Sequence, residues 1–221
     1  MNDNYGDAMA AAAPRLRGRP KQRSDAEERQ RITAVACDLF LDVGYGATTM
    51  DAVAARCGVS KKTLYRLFPA KTDLFGAMVA DHRRTMLALP RPDDELPPAE
   101  ALAAIFRLGI DEAENRERLA FIRLAMADAD RFPEVGEAIT LEGAEPARLL
   151  LAGWLARQQE RGALRPFPPE AAARMLMDMV FSVLVKRFPG DALLTREDRF
   201  AHARQCIDIF LHGLARATPN G

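Results

Sequence analysis

Thr48-Thr49-Met50-Asp51-Ala52-Val53-Ala54-Ala55-Arg56-Cys57-Gly58-Val59-Ser60-Lys61-Lys62-Thr63-Leu64-Tyr65-Arg66-Leu67-Phe68 is the stretch that decides the fold. Met50, Val53, Ala54 and Cys57 fall on one side of a first helical run, and Leu64, Leu67 and Phe68 on one side of a second. This is the spacing of helices that each bury a single face. Between them stands Gly58, the residue type that most readily takes the left-handed conformation ending a helix. Ser60 offers a side-chain oxygen to cap the next one. Two short helices, a glycine turn and a cationic outer face on the second read as a helix-turn-helix. Alone, the stretch also fits any helical hairpin; its surroundings separate the two readings.

Immediately upstream, Ser24 with Glu27 three residues on forms a capping box. A helix over 24–43 follows, with Ile32, Val35, Ala36, Leu39, Phe40 and Val43 as its buried stripe and Gly44 as its stop. Either Thr48 or Thr49 can cap the second helix, where free backbone N–H groups also suit a phosphate. Downstream, Lys71 opens a fourth helix carrying Leu74, Phe75, Met78 and Val79 towards Met86, and Pro90, Pro92, Pro97 and Pro98 end it in a linker.

Farther upstream, residues 1–14 read as disordered, and Arg15-Leu16-Arg17-Gly18-Arg19-Pro20-Lys21 as an extended basic arm, because glycine and proline oppose helix. Its Arg-Gly-Arg-Pro core resembles the AT-hook, in which arginines enter a narrow, electronegative minor groove. Arg17, Arg19 and Lys21 are therefore candidate DNA contacts; a solubilising tail is the other reading of the same residues.

Lys plus Arg and Asp plus Glu number 31 each, so net charge excludes nothing, but its distribution is uneven. Residues 15–71 hold 12 basic against 6 acidic side chains, leaving 19 and 25 for the remainder. A basic head on a mildly acidic body suits a polyanion partner. Cys37, Cys57 and Cys206 are odd in number, widely spaced and on apolar stripes, which reads as reduced, buried thiols, with a redox sensor as the alternative. No apolar run has the ~20 residues of a membrane span and no signal peptide is visible, so a cytoplasmic location is expected. His82, His202 and His212 show no metal-ligand spacing, and neither a Gly-x-Ser-x-Gly elbow nor a phosphate loop occurs. No catalytic residue, metal site or cofactor is predicted.

Beyond the linker the pattern stays helical: 99–113, 116–129, 133–161 with a break near Gly143-Pro146, 170–188 and 197–217. Gly162 to Pro169 reads as a loop. No strand period appears, and the predicted class is all-α.

Gly44-Tyr45, Thr48-Thr49, Val53-Ala54, Gly58-Val59-Ser60, Thr63-Leu64-Tyr65, Phe68 and Lys71 together closely resemble the TetR family of bacterial transcriptional regulators, in order and spacing, over roughly residues 30–80. Arg131-Phe132-Pro133-Glu134, Trp154, Arg161-Gly162 and Leu164 resemble, less sharply, the C-terminal domain of its AefR-like branch. With the basic arm taken as disordered over 1–23, the resemblance implies a three-helix DNA-binding domain over 24–70 with its motif at about 49–68. A helical regulatory and dimerisation domain over 71–221 would follow.

The resemblance also implies phosphate contacts at Thr49, Tyr65 and Lys71, and base approach at Lys61, Lys62 and Thr63. Thr48, Ser60 and Arg66 complete the expected DNA surface. Leu67 departs from the family, which often has a donor, His or Tyr, at that position, and Lys62 stands where a small residue is frequent. The implied partners are a palindromic operator, a second copy of the chain packed through 170–188 and 197–217, and a small apolar effector that releases a repressor. Phe106, Phe121, Met126, Trp154, Met175 and Met179 are candidate pocket residues, though each also fits ordinary core. Asp178, costly if buried unpaired, is expected in an ion pair, with a pocket or dimer role as alternatives. An enzyme and a purely architectural DNA-binding protein remain as competing classes.

Overall fold

The computed structural model describes residues 24–92, 96–184 and 194–214. The arm carrying Arg17, Arg19 and Lys21, and the predicted continuations of two helices to 188 and 217, lie outside the described residues. Among the described residues there are helices and turns and no strand.

Helix α1 spans Asp25–Ala47; Ser24 and Glu27 close the predicted capping box, with the Ser24 side chain accepting from the Glu27 N–H. Gly44 leaves helical geometry at φ 82, ψ 165, so the stop is where the sequence placed it, although one more turn follows. Helix α2 (Met50–Cys57) is capped by Thr49 and ends at Gly58, which is left-handed at φ 63, ψ 33. Helix α3 (Lys61–Leu67) is capped by Ser60, and α4 runs Lys71–Met86.

The predicted 99–113 helix is shorter. Helix α5 (Pro98–Ile105) stops because Arg107 turns to φ 57. Asp111 then caps α6 (Glu112–Ala129) by accepting from the Glu114 N–H at 2.9 Å. The Asp111 N-cap starts the helix one turn ahead of the predicted Arg116.

Helix α7 (Pro133–Ala138) passes through a π-helical turn, Ile139–Ala144, into α8 (Glu145–Glu160). The expected break near Pro146 is thus a change of helical register. Proline has no N–H to return to the Glu142 carbonyl, and that carbonyl instead accepts Arg83 Nη1 of α4 at 2.7 Å. Helices α9 (Pro169–Phe181) and α10 (Arg196–Leu214) are the last elements among the described residues.

Two hydrophobic cores result. One joins α1, α2, α3 and the first half of α4 to Phe121, Ala125 and Val135. The other joins α5, α8, α9 and α10 and includes Leu87, Leu89, Phe106 and Trp154. Helix α4 therefore packs its N-terminal half into the head core, and the segment just after it, at Leu87 and Leu89, belongs to the body core.

Candidate DNA-binding surface and effector cavity

The head is held in shape by its own arginines. Arg29 of α1 donates to the Leu67 carbonyl and lies over the Phe68 ring at 4.3 Å. Arg31 donates to the Cys57 carbonyl at 2.8 Å. Both cations meet carbonyls at helix C-termini, where the backbone dipole is negative. Two residues that contributed to the basic count are thus fastenings for α2 and α3.

The face of α3 is exposed as expected at Lys61, Lys62, Tyr65 and Arg66, with Thr63 partly so. Tyr65 keeps 47% of its surface in solvent. Ser60 accepts from the Thr63 N–H at 3.0 Å, and the two hydroxyls lie 2.9 Å apart. Lys61 pairs with Asp51 at 2.6 Å, and Arg66 meets both Asp25 oxygens at 2.5 and 2.9 Å. Arg66 holds the Asp25 carboxyl below the ordinary carboxylate range, and Asp51 raises the Lys61 ammonium. These pairs are solvent-exposed and contribute little to stability, so a phosphate can exchange for either carboxylate.

Thr49 is exposed and caps α2 through a 3.1 Å bond from the Ala52 N–H. Thr48 is different. It is 2% exposed and its hydroxyl donates to the Gly44 carbonyl at 2.8 Å. A side chain turned inward by its own backbone bond positions the α1–α2 corner and does not reach a partner. Leu67 is buried, as its apolar character demands. Lys71 donates to the carbonyls of Tyr45 and Thr48 at 2.9 and 3.2 Å and sits 4.1 Å from the Tyr45 ring centroid. An ammonium has three donors, which leaves one beyond this tether.

The same corner fastens the head to the body. The Tyr45 N–H donates to buried Asp128 of α6 at 2.8 Å, and the Tyr45 ring packs on Phe75 and on Phe132 at 5.3 and 5.2 Å. Burial, with Glu134 beside it, pushes the Tyr45 phenol up to about 12.

Between the two cores lies a cavity of about 310 Å³. Its wall is almost entirely carbon: Val79, His82 and Met86 of α4, Phe121, Ile122 and Met126 of α6, and the end of α9 at Met177 and Phe181. Of the candidate pocket residues, Phe121 and Met126 line this cavity. Phe106 is buried against Phe181 at 5.5 Å and Trp154 lies in the body core, so neither borders this cavity.

On α9 the helical phase reverses the expected roles. Leu176, Met177, Val180 and Phe181 face inward, whereas Met175 is 61% exposed and Asp178 is exposed, with Met179 packed on the body core. Asp178 has no ion pair among the described residues, and a solvated carboxylate needs none. His82, Val79, Met177 and Phe181 were missed. The spacing of Val79, His82 and Met86 along one face of α4 was the available signal.

His82 is packed on Phe121 with ring centroids 4.5 Å apart. Burial, reinforced by the charge of Arg118, drops its pKa from the usual 6.5 to about 4. The unfolded chain therefore takes up a proton near pH 6.5 and the folded chain only near 4. Stability contributed here is full above that window and falls as pH falls through it, by up to roughly 3 kcal/mol. Urea unfolding at neutral pH and near pH 4 should show a larger loss for the natural chain than for His82→Phe. Equal losses would exclude His82 as the cause.

The surroundings of this geometry are familiar. The model of bacterial regulatory proteins of the tetR family matches residues 32–78, and that of the AefR-like transcriptional repressor C-terminal domain matches 100–213. The chain is similar to the uncharacterized HTH-type transcriptional regulator YvkB of Bacillus subtilis, 24% identical over 190 residues that cover 84% of this chain and 96% of YvkB. It is also similar to the HTH-type transcriptional activator FasR of Mycolicibacterium smegmatis, 41% identical over 56 residues, 25% of this chain and 26% of FasR.

Among solved structures, a TetR family transcriptional regulator from Pseudomonas syringae pv. tomato superposes with TM-score 0.60 at 25% identity, over 86% of this chain and 98% of its own. The flavonoid-responsive regulator FrrA superposes with TM-score 0.59 at 26% identity, over 87% of this chain and all of its own. With both halves matched in order, and a helix-turn-helix whose outward face carries lysine, threonine, tyrosine and arginine, the chain belongs to the TetR family of DNA-binding transcriptional regulators.

Proposed function

We propose that this regulator is a repressor that binds a palindromic operator as a homodimer and leaves it when a small, largely apolar effector occupies the cavity between the two cores. The observation that carries the reading is the double duty of α4. Val79, His82 and Met86 form the cavity wall, while Lys71 at its other end ties down the α1–α2 corner. A 16-residue helix is about 24 Å long, so a small tilt at one end displaces the reading head at the other. An effector preferring the tilted arrangement shifts the population away from the operator-competent spacing.

One short recognition helix reads only a few base pairs, and two-fold pairing supplies the second half-site. The exposed apolar side chains Met175 of α9 and Ile209 of α10, at 61% and 58% exposure, support these helices as the pairing surface. The similarity to a flavonoid-responsive regulator supports control by a small molecule.

On the DNA side, Thr49, Ser60, Tyr65 and Lys71 are assigned to phosphates, with Lys61, Lys62, Thr63 and Arg66 near base edges. Lys62 has no ion pair among the described residues, so its charge is already available. Lys62→Ala should weaken operator binding by about 1–3 kcal/mol and relax the preference at one base position. Unchanged affinity and unchanged preference in a fluorescence-anisotropy competition with operator variants would remove Lys62 from the contact surface. Selection of bound fragments from genomic DNA tests the whole reading: a shared palindrome supports it, and uniform capture of A·T-rich duplex favours an architectural protein. Release of that palindrome by a cavity ligand, with derepression of the adjacent gene, completes the test.

A further inference from the structure

Where the end of α5 meets α6, α9 and α10, the body buries two arginines that no carboxylate holds. Arg118 of α6 is 6% exposed and Arg199 of α10 is 9% exposed, and neither has an ion pair among the described residues. Arg118 donates Nη1 to the Phe106 carbonyl at a long 3.5 Å, and its Nε is buried without a partner. Arg199 donates Nη1 to the Leu194 carbonyl. A guanidinium has five N–H donors, so most of theirs meet no acceptor among the described residues.

The carboxylates that act on the two arginines are committed to others. Glu114, which favours the Arg118 charge, is bonded to Arg107. Glu112 and Glu197, which favour that of Arg199, are both paired with Arg196. All three glutamates keep their side chains well in solvent, at 41, 59 and 72% exposure. Burial, with repulsion from Arg107 and Arg199, lowers the Arg118 pKa to about 10, so the group is still charged at neutral pH. Two buried cations within reach of each other are costly without a counter-ion.

A small void lies between them. Polar atoms face it, and Arg118 and Arg199 bring the only polar side chains to its lining among the described residues. Its volume is about 20 Å³, room for a single body about the size of a water molecule. We propose that this void binds one chloride-sized monovalent anion, held by the guanidinium groups of Arg118 and Arg199 and walled by Phe106, Val180, Phe181 and Phe200. Water would accept their N–H bonds but leave both charges uncompensated, whereas sulfate, phosphate or a free carboxylic acid is too large for the space. Phe181 and Leu184 line both this void and the larger cavity, so the ion braces the partition between the two. The assignment is independent of what that cavity binds.

The test is thermal unfolding of the full-length chain in sodium chloride and in sodium gluconate at equal ionic strength, which holds charge screening constant. The melting temperature should be about 3–5 °C higher in chloride, the shift one bound ion gives at roughly ten times its dissociation constant. Arg118→Met and Arg199→Met should each abolish the difference between the salts, while Arg165→Met, which removes an exposed arginine elsewhere, should keep it. Equal melting temperatures of the natural chain in the two salts would overturn the site, and so would a chloride shift that the Arg118 and Arg199 variants retain. Crystals of the natural chain grown in sodium bromide give a readout that needs no variant to fold. Anomalous density is expected in the void beside Arg118 and Arg199, and its absence, with only water there, would overturn the assignment.

Discussion

Replacing Gly44 with alanine is expected to destabilise the protein by about 2–3 kcal/mol and to weaken DNA binding at the same time. At φ 82, ψ 165 the backbone lies in a region essentially reserved for glycine. The difficulty is in the chain itself, since a Cβ there would meet only the Asp128 carboxylate at 3.7 Å, an ordinary contact. Relief of the strain has to rotate the next peptide, and that peptide carries the Tyr45 N–H bonded to Asp128. The Thr48 hydroxyl and N–H also lose their acceptor, the Gly44 carbonyl. Fold stability and the seating of the head on the body thus fail together. Gly58→Ala is the internal control: its φ 63, ψ 33 is the milder left-handed well, and nothing lies within 4 Å of an added Cβ. A loss of roughly 1 kcal/mol is expected there. Chemical unfolding of both variants decides the matter, and a Gly44→Ala loss no greater than that of Gly58→Ala would defeat the argument.

Lys71→Met carries the second large effect. The substitution keeps an apolar stem over the Tyr45 ring and removes only the ammonium. Two carbonyls, those of Tyr45 and Thr48, lose a charged donor, for a destabilisation of about 2 kcal/mol. A cation in the first turn of α4 opposes the helix dipole, and these carbonyls offset that opposition in the free protein. With DNA bound, the third N–H is assigned to a phosphate. Operator affinity should therefore drop about tenfold and its salt dependence flatten by about 0.9. A stability loss with an unchanged salt slope would reduce Lys71 to a tether.

The head was legible residue by residue because its signals are local. Ser24 with Glu27, Thr49 before Met50, Gly58 and Ser60 all act on backbone groups within a few positions of themselves, and each does in the structure what its type implies. Asp111, which caps α6 by accepting from the Glu114 N–H, is a local signal of the same kind. The other departures have the opposite property. Pro146 was read as a break where a π turn lets the helix continue, with its freed carbonyl taken by Arg83 from a different helix. Thr48 and Thr49 are chemically equivalent in sequence; only the inward turn at Gly44 makes one a cap and the other a buried brace.

Composition and periodicity by themselves determined the all-α class, the helix-turn-helix and the identity of most of its outward side chains. Those features follow from which residues can cap, turn or bury one helical face, a matter settled over a few positions of chain. The tertiary structure alone decided that Arg29 and Arg31 fasten α2 and α3, that Met177 faces the cavity while Met175 faces solvent, and that His82 packs on Phe121 in the cavity wall. Each of these depends on what a distant helix brings within a few ångströms. A side chain's type records what it is able to do, and its neighbours across the core select which of those things it does.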